Sequence, residues 1–246
     1  MKVEFIKYAA GGLACRGALV YDDAAKSVRP RPLLLIAPNW LGVTDNVIER
    51  AKELAGDRYV AFVADMFGEG KGPKGNENPM EFLAPLIGDA DETRRRIVAA
   101  FDTMSKEAEA RGIGDTKRRA ALGYCFGGSN VIDLARTGAD VQAVVSVHGV
   151  LATPAPAREK GCIKAAVLVL HGAADPVSPK AHRDMFEAEM DTCCARWYSL
   201  IFGNVAHAYT DVGVNNPPVA VYSEPATRHG YALAHAFIED AFAGRV

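Results

Sequence analysis

Apolar residues come along this chain in short bursts, separated by longer stretches in which apolar and polar positions alternate with a helical period. The bursts are residues 33–37, 59–64, 119–122, 141–147, 166–170 and 196–202. Several are apolar throughout, the pattern of strands covered on both faces. Residues 46–54, 91–109, 127–136, 179–189 and 222–242 read as helices. In the last of these, Leu233, Ala234, Phe237 and Ala241 recur at three- and four-residue spacing and form one apolar face. Regular alternation of strand and helix from about residue 30 predicts an α/β fold, a mainly parallel central sheet with helices on both faces. Ahead of it, residues 3–8 and 17–21 flank Gly11-Gly12 and read as a hairpin at the sheet edge. Residues 68–79, rich in Gly, Lys, Asn and Pro, are too few for an interdomain linker and read as a loop above the sheet. Residues 1–246 are therefore expected to form a single domain.

Composition narrows the function classes. The chain is 49% hydrophobic and 24% charged, ordinary for a globular protein. Its 28 basic and 30 acidic residues leave a net charge of −2, which argues against general nucleic-acid binding. The triplet Arg94-Arg95-Arg96 falls in a helical stretch and reads as a solvated face. No apolar run approaches the ~18 residues of a membrane span, and residues 1–7 lack a leader-like apolar core. Cysteines 15, 125, 162, 193 and 194 are odd in number and contain no CxxC pair. A cytoplasmic protein is expected, a monomer or homodimer without disulfide framework, structural metal or membrane contact.

One motif misleads. Residues 70–75, GKGPKG, match GxGxxG after a strand, but residues 76–79 (NENP) postpone the helix whose start should hold a pyrophosphate. No Gly-Lys-Ser/Thr occurs either, so no cofactor is expected.

The informative segment is Gly123-Tyr124-Cys125-Phe126-Gly127-Gly128, between a predicted strand and a predicted helix. It is the nucleophile-elbow pattern G-x-S-x-G with cysteine in place of serine. Glycines are needed because side chains two positions either side of the nucleophile would collide with backbone in so tight a turn. A thiol at a helix start is also favoured as thiolate by the exposed N–H groups and the macrodipole. A thiol nucleophile needs a base, and the base an orienting acid, in the chain order nucleophile, acid, histidine. Asp175 follows one predicted strand, 50 residues after Cys125, and His207 follows the next strand, 32 residues later. His148, at another strand end, can approach the site but has no acid at suitable spacing. His171 reads as packed at the sheet edge, and His182, His229 and His235 as helix-surface or packing residues.

Cys125 in GYCFGG, Asp175 in HGAADP and His207 in VAHAY together resemble the dienelactone hydrolase family, over nearly the whole chain. The resemblance implies an α/β-hydrolase fold and a cofactor-free Cys-Asp-His hydrolase that cleaves a small-molecule ester or lactone. It implies an oxyanion hole built from the backbone N–H groups of Phe126 and Trp40. Asn39, Met66, Phe67, Tyr124 and Asp211 are expected to contact substrate. Two positions depart from the family pattern. Its members have a glutamate where this chain has Asn39, and an arginine for a substrate carboxylate where this chain has Asp211. The alternatives are a hydrolase or acyltransferase on a neutral ester or thioester without dienelactone activity, and a non-catalytic small-molecule binder of the same fold.

Overall fold

Gly11 and Gly12 both take positive φ, 56° and 91°, a conformation open to glycine at little cost, and turn the chain sharply back on itself. The strands on either side, β1 (Lys2–Ala10) and β2 (Leu13–Tyr21), pair antiparallel from Lys2↔Tyr21 to Ala10↔Leu13. This is the predicted edge hairpin. The computed structural model describes residues 1–23, 30–69, 71–75, 77–194 and 196–246, so Gly70 and Asn76 of the glycine-rich stretch lie outside the described residues. The chain divides into two compact units, Met1–Ala121 and Leu122–Val246.

In the first unit β2 pairs antiparallel with β4 (Val60–Val63), and β4 pairs parallel with β3 (Arg31–Ala37). Next to β3 runs β5 (Gly114–Tyr124), whose last three residues belong to the second unit. Every residue of β3 is buried, Arg31 among them, and residues 32–37 form the unbroken apolar run that burial on both faces requires. Helix α1 (Asp45–Ala55) starts where the Thr44 hydroxyl accepts the Val47 N–H, and buries Val47, Ile48, Ala51 and Leu54. Helix α2 (Met80–Ile87) was not predicted: it is eight residues long, contains Pro85 and has no side-chain cap. Helix α3 (Ala90–Ala110), capped by Asp89, follows it.

The arginine triplet on α3 corrects the sequence reading. Arg95 is exposed and pairs with Glu92, but Arg96 turns inward, where its Nη1 donates to the Met66 carbonyl at 2.6 Å. Successive helical residues point about 100° apart, so a run of like charges cannot all share one solvated face.

In the second unit the end of β5 is followed by α4 (Phe126–Arg136) and β6 (Ala143–Val147). Then come β7 (Ala166–Gly172), α5 (Lys180–Cys193) and β8 (Trp197–Phe202). β5, β6, β7 and β8 are neighbours in that order, and the β6–β7 and β7–β8 pairs are parallel. A small antiparallel pair, β9 (Asn215–Asn216) and β10 (Ala220–Val221), precedes α6 (Glu224–Phe242). Ser223 caps α6, which packs on β6 and β7. The α/β class with a mainly parallel sheet is as predicted. β5 begins at Gly114, ahead of the apolar burst, because its first half is polar and only partly buried. Among the described residues no helix is long and apolar enough to cross a membrane.

One buried charge cluster joins α4 to α5. Arg136 donates to both oxygens of Glu189, at 2.8 and 2.7 Å, and to Asp133 at 3.2 Å. Glu189 Oε1 also accepts the Ala157 N–H at 2.7 Å, which ties down the segment before β7. Burial alone would lower the Arg136 pKa, but the two carboxylates outweigh it and raise it. Removing the cation would leave two carboxylates with little solvent. Arg136→Met is therefore expected to lower unfolding free energy by roughly 3–5 kcal/mol, read as a fall in the denaturant midpoint. A midpoint equal to wild type would show that water repays the loss.

Candidate active site

The turn from β5 into α4 is held open by absent side chains. A Cβ on Gly123 would lie 2.0 Å from the Gly127 carbonyl oxygen, and one on Gly128 would lie 2.8 Å from Gly149 Cα. At the apex Cys125 takes φ 52° and ψ −116°, a region that a residue with a Cβ seldom adopts. Its N–H donates to the Val147 carbonyl at 3.1 Å, and its own carbonyl accepts from Gly128 and Ser129. Cys125 thus stands half-buried at the start of α4, where helix N–H groups and dipole favour negative charge. Phe126, the first residue of α4, offers its N–H at that same start.

Two loops of the second unit bring an acid and a base to this turn. Past β7, Asp175 is buried; its Oδ1 accepts the N–H groups of Val177 and Ser178 at 2.8 and 3.2 Å. That leaves Oδ2 to accept Nδ1–H of His207, at 2.8 Å. The loop past β8 is pinned along its length. The His207 N–H donates to Val219, its carbonyl accepts from Val221, and the Thr227 hydroxyl donates to the Tyr209 carbonyl. Ala208, with φ 51°, makes the reversal after the histidine. Gly172 allows the two loops to meet, since a Cβ there would lie 2.2 Å from the Val205 oxygen.

His207 Nε2 then lies 3.1 Å from Cys125 Sγ. Sulfur, imidazole and carboxylate form one hydrogen-bonded line within the second unit, so the three residues singled out by spacing are brought together. Burial by itself would lower the His207 pKa. The hydrogen bonds to Asp175 and to the Cys125 sulfur outweigh it and push the pKa up to about 10.

The other histidines separate clearly. His171 is buried, with Nε2 2.8 Å from the Ser178 carbonyl oxygen, and burial lowers its pKa, which keeps it neutral beside Asp175. His182 lies on α5, and His229 and His235 on α6. His148 reaches the site: its ring centroid is 5.2 Å from that of His207.

The residues expected at substrate take varied places. Asn39 Oδ1 accepts the Leu41 N–H at 3.0 Å and its carbonyl accepts from Gly42, forming a tight turn around Trp40 after β3. Met66 is fully buried, and the Phe67 N–H donates to Asp65 Oδ1. The Tyr124 ring is also buried, and its hydroxyl donates to that of Tyr231. Asp211 is half-buried and its Oδ1 accepts the Thr210 hydroxyl at 3.4 Å. Sequence reasoning passed over Thr210 and Tyr231. Neither lies in a motif, and each meets its partner across a long stretch of chain, 62 residues for Thr210 and 107 for Tyr231.

Comparison with known proteins agrees with this architecture. The model of the Dienelactone hydrolase family matches residues 17–242. A solved dienelactone hydrolase-like promiscuous phosphotriesterase from metagenomic libraries is 30% identical, covers 98% of both chains and superposes with a TM-score of 0.88. A Yersinia pestis protein provisionally named a carboxymethylenebutenolidase is 22% identical over 187 residues, 73% of this chain and 69% of that one. An esterase from Thermogutta terrifontis shares the fold at 15% identity, with a TM-score of 0.70 over 99% of this chain and 93% of that one. With the family match running through both compact units, this chain belongs to the dienelactone hydrolase family and has the α/β-hydrolase fold.

Proposed function

We propose that the chain, as a single hydrolase domain, cleaves neutral carboxylic esters or lactones through a Cys125-Asp175-His207 triad. The observation that carries this reading is the unbroken line from Cys125 Sγ through His207 to Asp175, at 3.1 and 2.8 Å. The thiolate attacks the carbonyl carbon and the carbonyl oxygen becomes an oxyanion. The N–H of Phe126 stabilises that charge, and the family resemblance adds the Trp40 N–H as second donor. Collapse breaks the C–O bond, and the leaving alkoxide takes its proton from His207 Nε2. The acyl group is left on Cys125 as a thioester. Water then attacks it, His207 takes up the water's proton, and the acid product leaves as the thiolate re-forms. Asp175 fixes the imidazole tautomer and balances its charge.

The preference for neutral substrates rests on Asp211, which puts a carboxylate where the family pattern has a cation. A second carboxylate close by would be repelled in a partly dry site. A 30% identical relative described as a phosphotriesterase accords with this, since phosphotriesters carry no ionisable proton.

Cys125→Ala should lose roughly 10⁴-fold or more in kcat on a well-cleaved ester, with the other four cysteines dispensable; wild-type turnover in that variant would end the mechanism. For a matched pair, a lactone acid and its methyl ester, kcat/KM should favour the methyl ester. A preference for the acid would mean that a cation serves the carboxylate from elsewhere. The pH profile gives a third check. His207 is raised to about 10, so the imidazolium that protonates the leaving group persists through neutral pH and is lost as pH rises past that value. Wild-type kcat/KM should have its alkaline limb there, where the imidazolium is lost. Asp175→Asn, which removes the carboxylate charge that helps raise the pKa, should move the limb to lower pH. An alkaline limb near the ~6.5 of free histidine would contradict the raised His207 pKa.

A further inference from the structure

His148 directly follows β6 with φ 41°, again a left-handed conformation on a residue with a side chain. Its N–H donates to the Leu170 carbonyl at 2.8 Å, so its backbone is anchored to β7. The buried imidazole stands edge-to-face against two rings and tilted against a third. Centroids lie 5.2 Å from His207 at 70°, 5.2 Å from Tyr209 at 79°, and 6.1 Å from Tyr124 at 42°. His148 Nε2 lies 2.8 Å from Thr210 Oγ1, and that hydroxyl donates to Asp211 Oδ1 at 3.4 Å. A threonine hydroxyl has one hydrogen. The 2.8 Å contact holds the His148 ring to Thr210 whichever of the two supplies the hydrogen, and the contact to Asp211 holds Thr210 in turn, so the ring plane of His148 is fixed.

The two hydrogen bonds of His207 leave one freedom unrestrained. Nδ1 is held by Asp175 and Nε2 faces Cys125, roughly along one line through the ring, so neither bond resists rotation about that line. A second ring packed across it does resist. We propose that His148, oriented by Thr210 and Asp211, is a positioning residue that braces the His207 imidazole and keeps Nε2 directed at the Cys125 sulfur. This gives Asp211 a task within its own loop, as the end of the line that orients His148. The inference rests on His207 being the proton carrier of the proposed triad.

The test compares Thr210→Val, Thr210→Ser and His148→Ala on one well-cleaved neutral ester. Misdirecting a catalytic group by a fraction of an ångström to 1 Å costs on the order of 10- to 100-fold. His148→Ala should lose that much in kcat with KM within about two-fold, and Thr210→Val should lose part of it. Thr210→Ser, which keeps the hydroxyl, should recover most of the rate. The double variant Thr210→Val/His148→Ala should be no slower than His148→Ala alone, because Thr210 acts through His148. Should His148→Ala fail to fold, the threonine pair carries the test, since Val and Thr are near-equal in shape. Wild-type kcat in Thr210→Val overturns the proposal. Equal losses in the Ser and Val variants, or a rise in KM with kcat unchanged, also overturn it. Cys125→Ala run in parallel separates the two readings: if it keeps turnover the triad itself falls, whereas an inactive Cys125→Ala beside a normal Thr210→Val removes only the brace.

Discussion

The structure turns on one crowded strand-to-helix corner, where a residue that carries a side chain must adopt a conformation made for one without. Around Cys125, which holds φ 52°, Gly123, Gly128 and Gly149 bring backbone or side-chain atoms into the space their own side chains would fill. Gly172 does the same service two strands over, letting β7 and the loop past β8 close to within contact. Open any of these approaches by one methyl group and the thiol, the carboxylate and the imidazole no longer converge. The large apolar core of the second unit, β6 and β7 buried along their whole length, is the rigid support that makes such a corner tolerable.

What was legible in the sequence follows from range. Strands buried on both faces announce themselves locally, and residues 33–37 and 166–170 were read correctly for that reason. The elbow was legible because its glycines are a requirement of six adjacent residues. Asp175 and His207 were legible because each closely follows a strand end. Three features were not. α2 has Pro85 inside it, and its start is marked only by the Asn78-Pro79 pair, where Asn78 Oδ1 accepts the Met80 N–H, a signal that the glycine-rich stretch before it masks. Arg96 looks the same as Arg94 and Arg95 until the helix is wound. Thr210 carries no signal at all, because its partner His148 is 62 positions away and comes close only when β6 and the histidine loop meet.

The two departures from the family pattern have distinct physical settings. Asn39 directs its side-chain oxygen at the Leu41 N–H, a bond that shapes the turn after β3, as short polar side chains commonly do in turns. Asp211 is bound into its own loop through Thr210. Both substitutions replace a group suited to charge transfer or charge pairing with one that shapes backbone or orients a neighbour.

The Arg136 cluster behind the elbow bears on how the protein responds to heat. Dehydrating charged groups becomes less costly as temperature rises, whereas the gain from burying apolar surface levels off. A compact set of one guanidinium and two carboxylates, joined to α4, α5 and the Ala157 amide, therefore gains in relative weight on warming. The helix that starts at Cys125 is fastened by a joint of the kind that weakens least near the melting transition. Thermal inactivation is then expected to begin outside this joint, with α4 and its thiol among the last elements to let go.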